Sequence, residues 1–145
     1  MAMVTVRHLA DDKFRMETRE HVVLADQPSG REDEAGPTPV ELLVMALAAC
    51  AGYYGVRNLR SQELPADGLT VRVRWSMRTE PARVGRVQLD VLVPAPLQPA
   101  QRDRLLAAID RCTVHNTLRQ PPRVEVDVVE PSVHRAGGPD GSPVP

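Results

Sequence analysis

Hydrophobic and polar positions change period several times along this chain, and the changes mark out its elements. "VTVRH" alternates near the N-terminus, and "FRMETREHVVLAD" holds two further short extended runs separated by charges. Both stretches predict strands. "QPSGREDEAGP" mixes Pro, Gly and charge without periodicity and predicts a loop. A helix start follows. Thr38 is a good N-cap, Pro39 sits at the first helical position, and Glu41 falls three residues after the cap. At that spacing the two side chains each satisfy the other residue's backbone N–H. The helix then runs through "ELLVMALAACAGYYGVRNLRSQ" and is apolar all round from Leu42 to Val56, which predicts burial on most faces.

Downstream, "LTVRVRWSMRTE" alternates strictly, with Val71, Val73, Trp75 and Met77 on one face and Arg72, Arg74, Ser76 and Arg78 on the other. "RVQLDVLVP" repeats the pattern, and "EPARVG" between them predicts a hairpin loop. "PAQRDRLLAAIDRC" predicts a second helix, with Leu105, Ile109 and Cys112 on its apolar face, and "TVHNTLRQPP" a short turn or helical piece stopped at Pro121. "RVEVDVVE" predicts a last strand with Val124, Val126 and Val128 on one face. The order of strands, long helix, two strands, helix and strand predicts an α+β fold with mostly antiparallel strands. One domain is expected over residues 1–130, and the Pro- and Gly-rich stretch 131–145 is expected to be a disordered tail.

Composition sharpens this picture in three places. Aromatics make up only 3% of 145 residues, so the core must be built from Val, Leu and Ala. A chain this short does not readily cover an all-apolar helix. The small residues along that helix (Ala46, Ala48, Ala49, Ala51, Gly52, Gly55) invite close approach by another backbone, which points to a second subunit. The formal net charge of −1 and the lack of a basic run argue against nucleic acid. The apolar run ends at charges on both sides, Glu41 and Arg57, and is shorter than the ~20 residues that span a bilayer, so a core helix is expected and no membrane. The N-terminus shows no signal-peptide pattern, which points to the cytoplasm.

Candidate chemistry rests on the two cysteines, Cys50 in the long helix and Cys112 at the end of the second. From residue types alone they are buried thiols, a structural disulfide, half of a metal site with His115, or a redox pair. Cytoplasmic proteins rarely keep structural disulfides. No second Cys or His pair is present to close a zinc site. Cys50 lies mid-helix, so its own helix dipole does not activate it, and burial alone would keep it protonated. It needs a cation or a hydrogen-bond donor from elsewhere in the fold. His115, three residues after Cys112, stands beside that thiol if the segment is helical, where a Cys/His pair would activate it.

"GPTPVELLVMALAAC", Gly36 to Cys50, resembles the signature of the OsmC/Ohr family: a G-P-x-P-x-E-L-L start, an alanine-rich helix and a cysteine. "CTVHNTL", Cys112 to Leu118, is similar to that family's second cysteine motif. The resemblance extends over about residues 1–130. It implies an intertwined homodimer with two central helices packed between mostly antiparallel sheets, and a site at the dimer interface. It further implies a thiol-dependent peroxidase that reduces organic hydroperoxides without cofactor or metal. Cys50 would be the peroxidatic thiol and Cys112 the resolving one, regenerated by a dithiol such as a protein-bound lipoyl group. The sequence departs from the peroxidase subgroups at Val40, where they carry a glutamate. Glu41 lies one residue later, about 100° round the helix. The activating arginine would be Arg31, in the loop before the helix, with Arg15 and Arg19 in the strands as alternatives. The same departures favour a second possibility, a non-catalytic relative that binds a small apolar ligand or partner at the dimer interface.

Overall fold

The computed structural model describes residues 2–28, 30 and 32–131. Three short strands open the chain: β1 (Thr5–His8), β2 (Phe14–Thr18) and β3 (His21–Ala25). They form an antiparallel meander with Val6 opposite Met16 and Met16 opposite Val23. Its strands pack on one another and touch the rest of the chain little. Val6, Phe14, Val22, Val23 and Leu24 are all exposed, so the meander displays apolar side chains it does not cover itself.

The loop after β3 is tied down at Asp26, which is only 1% exposed. Its carboxylate accepts from the Gln27 N–H (2.8 Å) and the Ala35 N–H (3.1 Å). A Cβ at Gly36 would lie 2.2 Å from the Leu24 carbonyl oxygen, so only glycine lets the loop return this close to β3. Thr38 then caps α1 (Pro39–Ser61) in the manner the sequence predicts. Its hydroxyl accepts from the Glu41 N–H at 3.1 Å, and the Glu41 carboxylate accepts from the Thr38 N–H at 2.7 Å.

A long hairpin follows, β4 (Thr70–Thr79) and β5 (Ala82–Leu92), with Val71 opposite Val91 and Val73 opposite Leu89. The predicted loop "EPARVG" is shorter than expected. Thr79 pairs with Ala82, so residues 82–85 extend the strand and the turn is Glu80–Pro81; the register shift at Ser76/Met77 absorbs the difference. Two helices close the fold: α2 (Pro99–Asp110) and α3 (Thr113–Arg119), with Cys112 as the residue that starts α3.

α1 buries one stripe, Val44, Leu47, Ala51, Gly55 and Leu59, against β4, β5, α2 and α3. Gly55 permits the approach, since a Cβ there would come within 3.2 Å of Leu69 Cδ1. The innermost cluster is Leu59, Ala66 and Leu105, packed by Val56, Leu64, Leu69, Val93, Leu97 and Ile109. Leu59 is fully buried, and Leu59→Ala is expected to cost about 2–5 kcal/mol from lost transfer energy and the cavity left behind. Urea denaturation followed by circular dichroism checks this.

Two expectations are corrected. Burial of α1 on most faces is not observed within one chain: Leu43, Met45 and Tyr53 are exposed at 42%, 54% and 58%. The helix is also longer than its apolar run and passes, by length and composition, as one able to cross a membrane. Here it is packed along one side by β4, β5, α2 and α3. The last strand is likewise missing. Residues 121–131 have no strand partner, and Val124, Val126, Val128 and Val129 are 79–89% exposed. A period-two stretch becomes a strand only where a sheet edge accepts it. The expected tail lies, from residue 132 onward, outside the described residues. The α+β class and the antiparallel sheets are as predicted.

Candidate active site

Cys50 and Cys112 meet in the crevice between α1 and the α2–α3 corner. They are free thiols in side-chain hydrogen-bond contact. Two patterns bring them there. Cys50 follows the buried Leu47 by about one turn of α1, and Cys112 continues the apolar Leu105–Ile109 face of α2. Cys112 is 1% exposed, while Cys50 is half-buried.

Because α2 ends at Asp110 and α3 starts at Thr113, the first N–H groups of α3 have no partner within that helix. The groups from Thr113 and Val114 act on the Cys50 sulfur. Burial raises the Cys50 pKa, but the Cys112 thiol, then the Val114 N–H, then the Thr113 N–H more than offset it, and the net shift is downward from the ordinary 9.0. Cys112 moves the other way. Burial and then its thiol partner raise its pKa, opposed mainly by the His115 N–H. The environment therefore favours the thiolate form at Cys50 and disfavours it at Cys112.

His115 contributes through its backbone rather than its ring. Of the two readings of His115, an imidazole paired with Cys112 or a plain histidine in a positioning turn, the second fits: Asp110 is held low first by Arg119, which it binds at 2.5 Å, and only weakly by the imidazole. Among the described residues no group of three His, Cys, Asp or Glu could hold a metal ion. Val40 lines a mostly apolar cavity of about 550 Å³ with Leu43, Leu47, Met77 and Leu118, to which Arg83 and Arg86 also contribute, and Glu41 is committed to its cap.

Among the described residues no cation is one of the groups that lower the Cys50 pKa. Arg15 pairs with Glu17 at 2.7 Å on the meander, and Arg19 sits at the β2–β3 turn with φ 53°. Neither strand packs substantially on α1 within the chain. Arg31 lies outside the described residues. The donors that sequence reasoning missed, Thr113 and Val114, carry no side-chain signal, because they act as backbone N–H groups. Their trace is the break in helical periodicity after Cys112.

Tyr54, one turn after Cys50, fixes α3 in place: its hydroxyl lies 3.1 Å from Thr113 Oγ1. Thr113→Pro tests the donor. Proline is accepted at the first position of a helix and removes the N–H. The extended backbone of Cys112 (φ −52°, ψ 124°) already suits a following proline. The Cys50 pKa is expected to rise relative to Thr113→Ala, which keeps the N–H and loses only the hydroxyl. Thiolate absorbance at 240 nm against pH measures the difference.

The family model for OsmC-like protein matches residues 30–127. No curated protein matches the sequence. The fold is similar to several solved structures. A protein of Psychrobacter arcticus, named for osmotic stress induction and detoxification response, has a TM-score of 0.73 at 20% identity over 81% of this chain and 88% of its own. An OsmC-like protein of Mycoplasma pneumoniae has a TM-score of 0.73 at 19% identity over 83% and 89%. The organic hydroperoxide resistance protein OhrB of Bacillus subtilis has a TM-score of 0.60 at 20% identity over 83% and 92%. With the family model spanning well over half of the sequence and the fold shared over most of the chain with such structures, the chain belongs to the OsmC-like protein family.

Proposed function

We propose that this chain is a thiol-dependent peroxidase that reduces organic hydroperoxides through Cys50 and Cys112. The observation that carries the reading is the asymmetric thiol pair: two free cysteines in contact, one held toward thiolate by neutral donors and the other kept protonated by burial. A structural disulfide would have no use for that asymmetry.

The Cys50 thiolate attacks one oxygen of the O–O bond of ROOH. An S–O bond forms, the O–O bond breaks, and Cys50 is oxidised to a sulfenic acid as the peroxide is reduced. The alkoxide RO⁻ takes the Cys112 proton and leaves as ROH. The Cys112 thiolate then attacks the Cys50 sulfur, the disulfide forms, and hydroxide leaves to become water with a solvent proton. A dithiol donates two electrons and two protons to restore both thiols and becomes a disulfide itself. Thr113 and Val114 N–H groups lower the Cys50 pKa, and Arg31, with Arg15 and Arg19 as alternatives, is the proposed activating cation. The apolar cavity beside Leu47 and Leu118 suits an organic R group better than hydrogen peroxide.

The reading also takes the chain as a cytoplasmic homodimer. Met45, Ala49 and Tyr53 are exposed at i, i+4 and i+8 on α1, alongside Cys50. The meander and the valines of residues 124–129 are uncovered as well. A second copy laid on these surfaces buries all three and puts the thiols at the interface.

The test is to mix reduced protein with cumene hydroperoxide, then count free thiols and follow peroxide. Two thiols lost per chain with matching peroxide consumption is the expected result, and consumption no faster than a thiol-free control contradicts it. The second reading, a non-catalytic relative that binds an apolar ligand in the cavity lined by Val40, predicts that control result and is separated by the same experiment.

A further inference from the structure

The β4–β5 hairpin has two unlike faces. Val71 and Val73 turn toward α1, where a Cβ at Gly52 would lie 3.6 Å from Val71 Cγ2. The other face carries Arg72, Arg74, Ser76 and Arg78 on β4, with Asp90, Gln88, Arg86 and Arg83 opposite them in that order on β5. All five of these arginines are exposed. No two of them adjoin in sequence, so no basic run appears there. Alternation and the tight turn gather them on one ribbon with a single acid.

That acid neutralises one of them. Asp90 binds Arg74 at 2.6 Å. Among the described residues Arg72, Arg78, Arg83 and Arg86 have no carboxylate partner. Arg78 and Arg83 stand directly opposite each other, where like charges destabilise a sheet. Two details hold this arrangement in place instead of relieving it. Gly85 is the unpaired residue at the register shift, and a Cβ there would lie 2.3 Å from Arg78 Cγ, so glycine leaves room for the Arg78 stem. Arg83 Nη1 donates to the Glu80 and Pro81 carbonyls, both at 3.1 Å. The fold thus keeps two repelling guanidinium groups side by side on its surface, and an anion laid between them removes the repulsion.

We propose that this face docks an acidic, extended segment of another protein. Alternate residues of β4 lie about 6.6–6.8 Å apart, and those of any extended segment lie the same distance apart. Carboxylates at every second position therefore meet Arg72 and Arg78 in register, with Ser76 and Gln88 as neutral hydrogen-bonding groups between them. A nucleic acid fits less well. Single strands stack on aromatic side chains, and Trp75, the one aromatic of the hairpin, alternates onto the face of Val71 and Val73. The formal net charge of −1 also opposes a polyphosphate partner. A face this small makes a weak, fast and salt-sensitive contact. The docking does not rest on the peroxidase reading.

The probe is a fluorescein-labelled octapeptide of alternating Glu and Ser, titrated with the full-length chain and read by anisotropy. Binding is expected with a Kd on the order of 10–100 μM at about 50 mM salt, at least about tenfold weaker at about 300 mM. Arg83 and Arg86 also border the cavity lined by Val40, so the substitutions avoid them. Arg72→Gln with Arg78→Gln is expected to weaken binding at least about tenfold. Arg60→Gln with Arg104→Gln changes the net charge equally on exposed positions of α1 and α2, and is expected to leave it within about twofold. Arg78→Glu places a carboxylate opposite Arg83, so binding is expected to be lost while the melting temperature holds or rises. Three results overturn the proposal: no peptide binding, equal weakening by the two double variants, or tighter binding of an eight-residue oligothymidylate than of the peptide. A change of oligomeric state in the hairpin double variant, seen by sedimentation velocity, also overturns it, because the face then belongs to an interface between copies.

Discussion

Cys50→Ser is expected to reduce cumene hydroperoxide consumption to the thiol-free background, whereas Cys112→Ser is expected to support a single turnover that stops at the sulfenic acid. The asymmetry follows from the site. Removing the Cys50 sulfur removes the thiol whose pKa is lowered, and the Cys112 thiol left behind is buried with a raised pKa. Serine does not substitute, because an alcohol of high pKa is not a nucleophile toward an O–O bond without a base beside it. Removing the Cys112 sulfur takes away one donor to the thiolate and the attacking thiol of the second step. The Thr113 and Val114 N–H groups still lower the Cys50 pKa, so the first step survives at a reduced rate. A sulfenic-acid trap such as dimedone, read by mass spectrometry, distinguishes the two variants. It labels Cys50 in Cys112→Ser after peroxide and labels nothing in Cys50→Ser. Dimedone adduct on Cys112 in the Cys50→Ser chain would reverse the assignment.

Ala49→Glu is expected to abolish self-association while leaving the folded chain intact. Ala49 is exposed in the single chain, in the middle of the Met45–Tyr53 stripe, so a carboxylate there meets water and costs the protomer little. In a two-fold dimer built on that stripe the same carboxylate is buried without a partner in each copy, and a symmetric interface brings both charges into it. An uncompensated buried charge costs about 3–5 kcal/mol, enough to weaken association at least about a hundredfold. Sedimentation velocity gives the oligomeric state, and circular dichroism shows that the chain is folded. A dimer that persists unchanged in Ala49→Glu places the interface elsewhere.

Much of this fold was legible in local pattern. The Thr38–Glu41 cap, the alternation of Val71 and Val73, and the Leu105–Ile109–Cys112 face each specify an element without help from distant residues. Elements that depend on a partner were not legible in the same way. Val124, Val126 and Val128 alternate as well as any strand here, yet alternation states only that one face wants burial, and no edge in the chain accepts it. The all-apolar α1 carried the complementary message, and the sequence correctly marked it as too apolar for one chain to cover.

The site divides along the same line. The motifs around Cys50 and Cys112 marked both thiols, and the structure brings them into contact. The arginine expected to activate Cys50, Arg31, lies outside the described residues. The donors found are main-chain groups of Thr113 and Val114, available only because the helix breaks between Asp110 and Thr113. His115 drew attention through its ring, and its contribution to Cys112 is its N–H.

The central claim is that Cys50, and not Cys112, is the thiolate of the pair. Its depressed pKa means that reactivity appears as pH rises through a value below the ordinary 9.0, while the raised pKa of Cys112 delays its reactivity to higher pH. Peptide-resolved alkylation with iodoacetamide across the pH range measures both thiols in one native chain. Cys50 is expected to be alkylated first, with its half-maximal rate below pH 9.0 and Cys112 following above it. Alkylation of Cys112 before Cys50, or a common half-maximum at or above that pH, would contradict it.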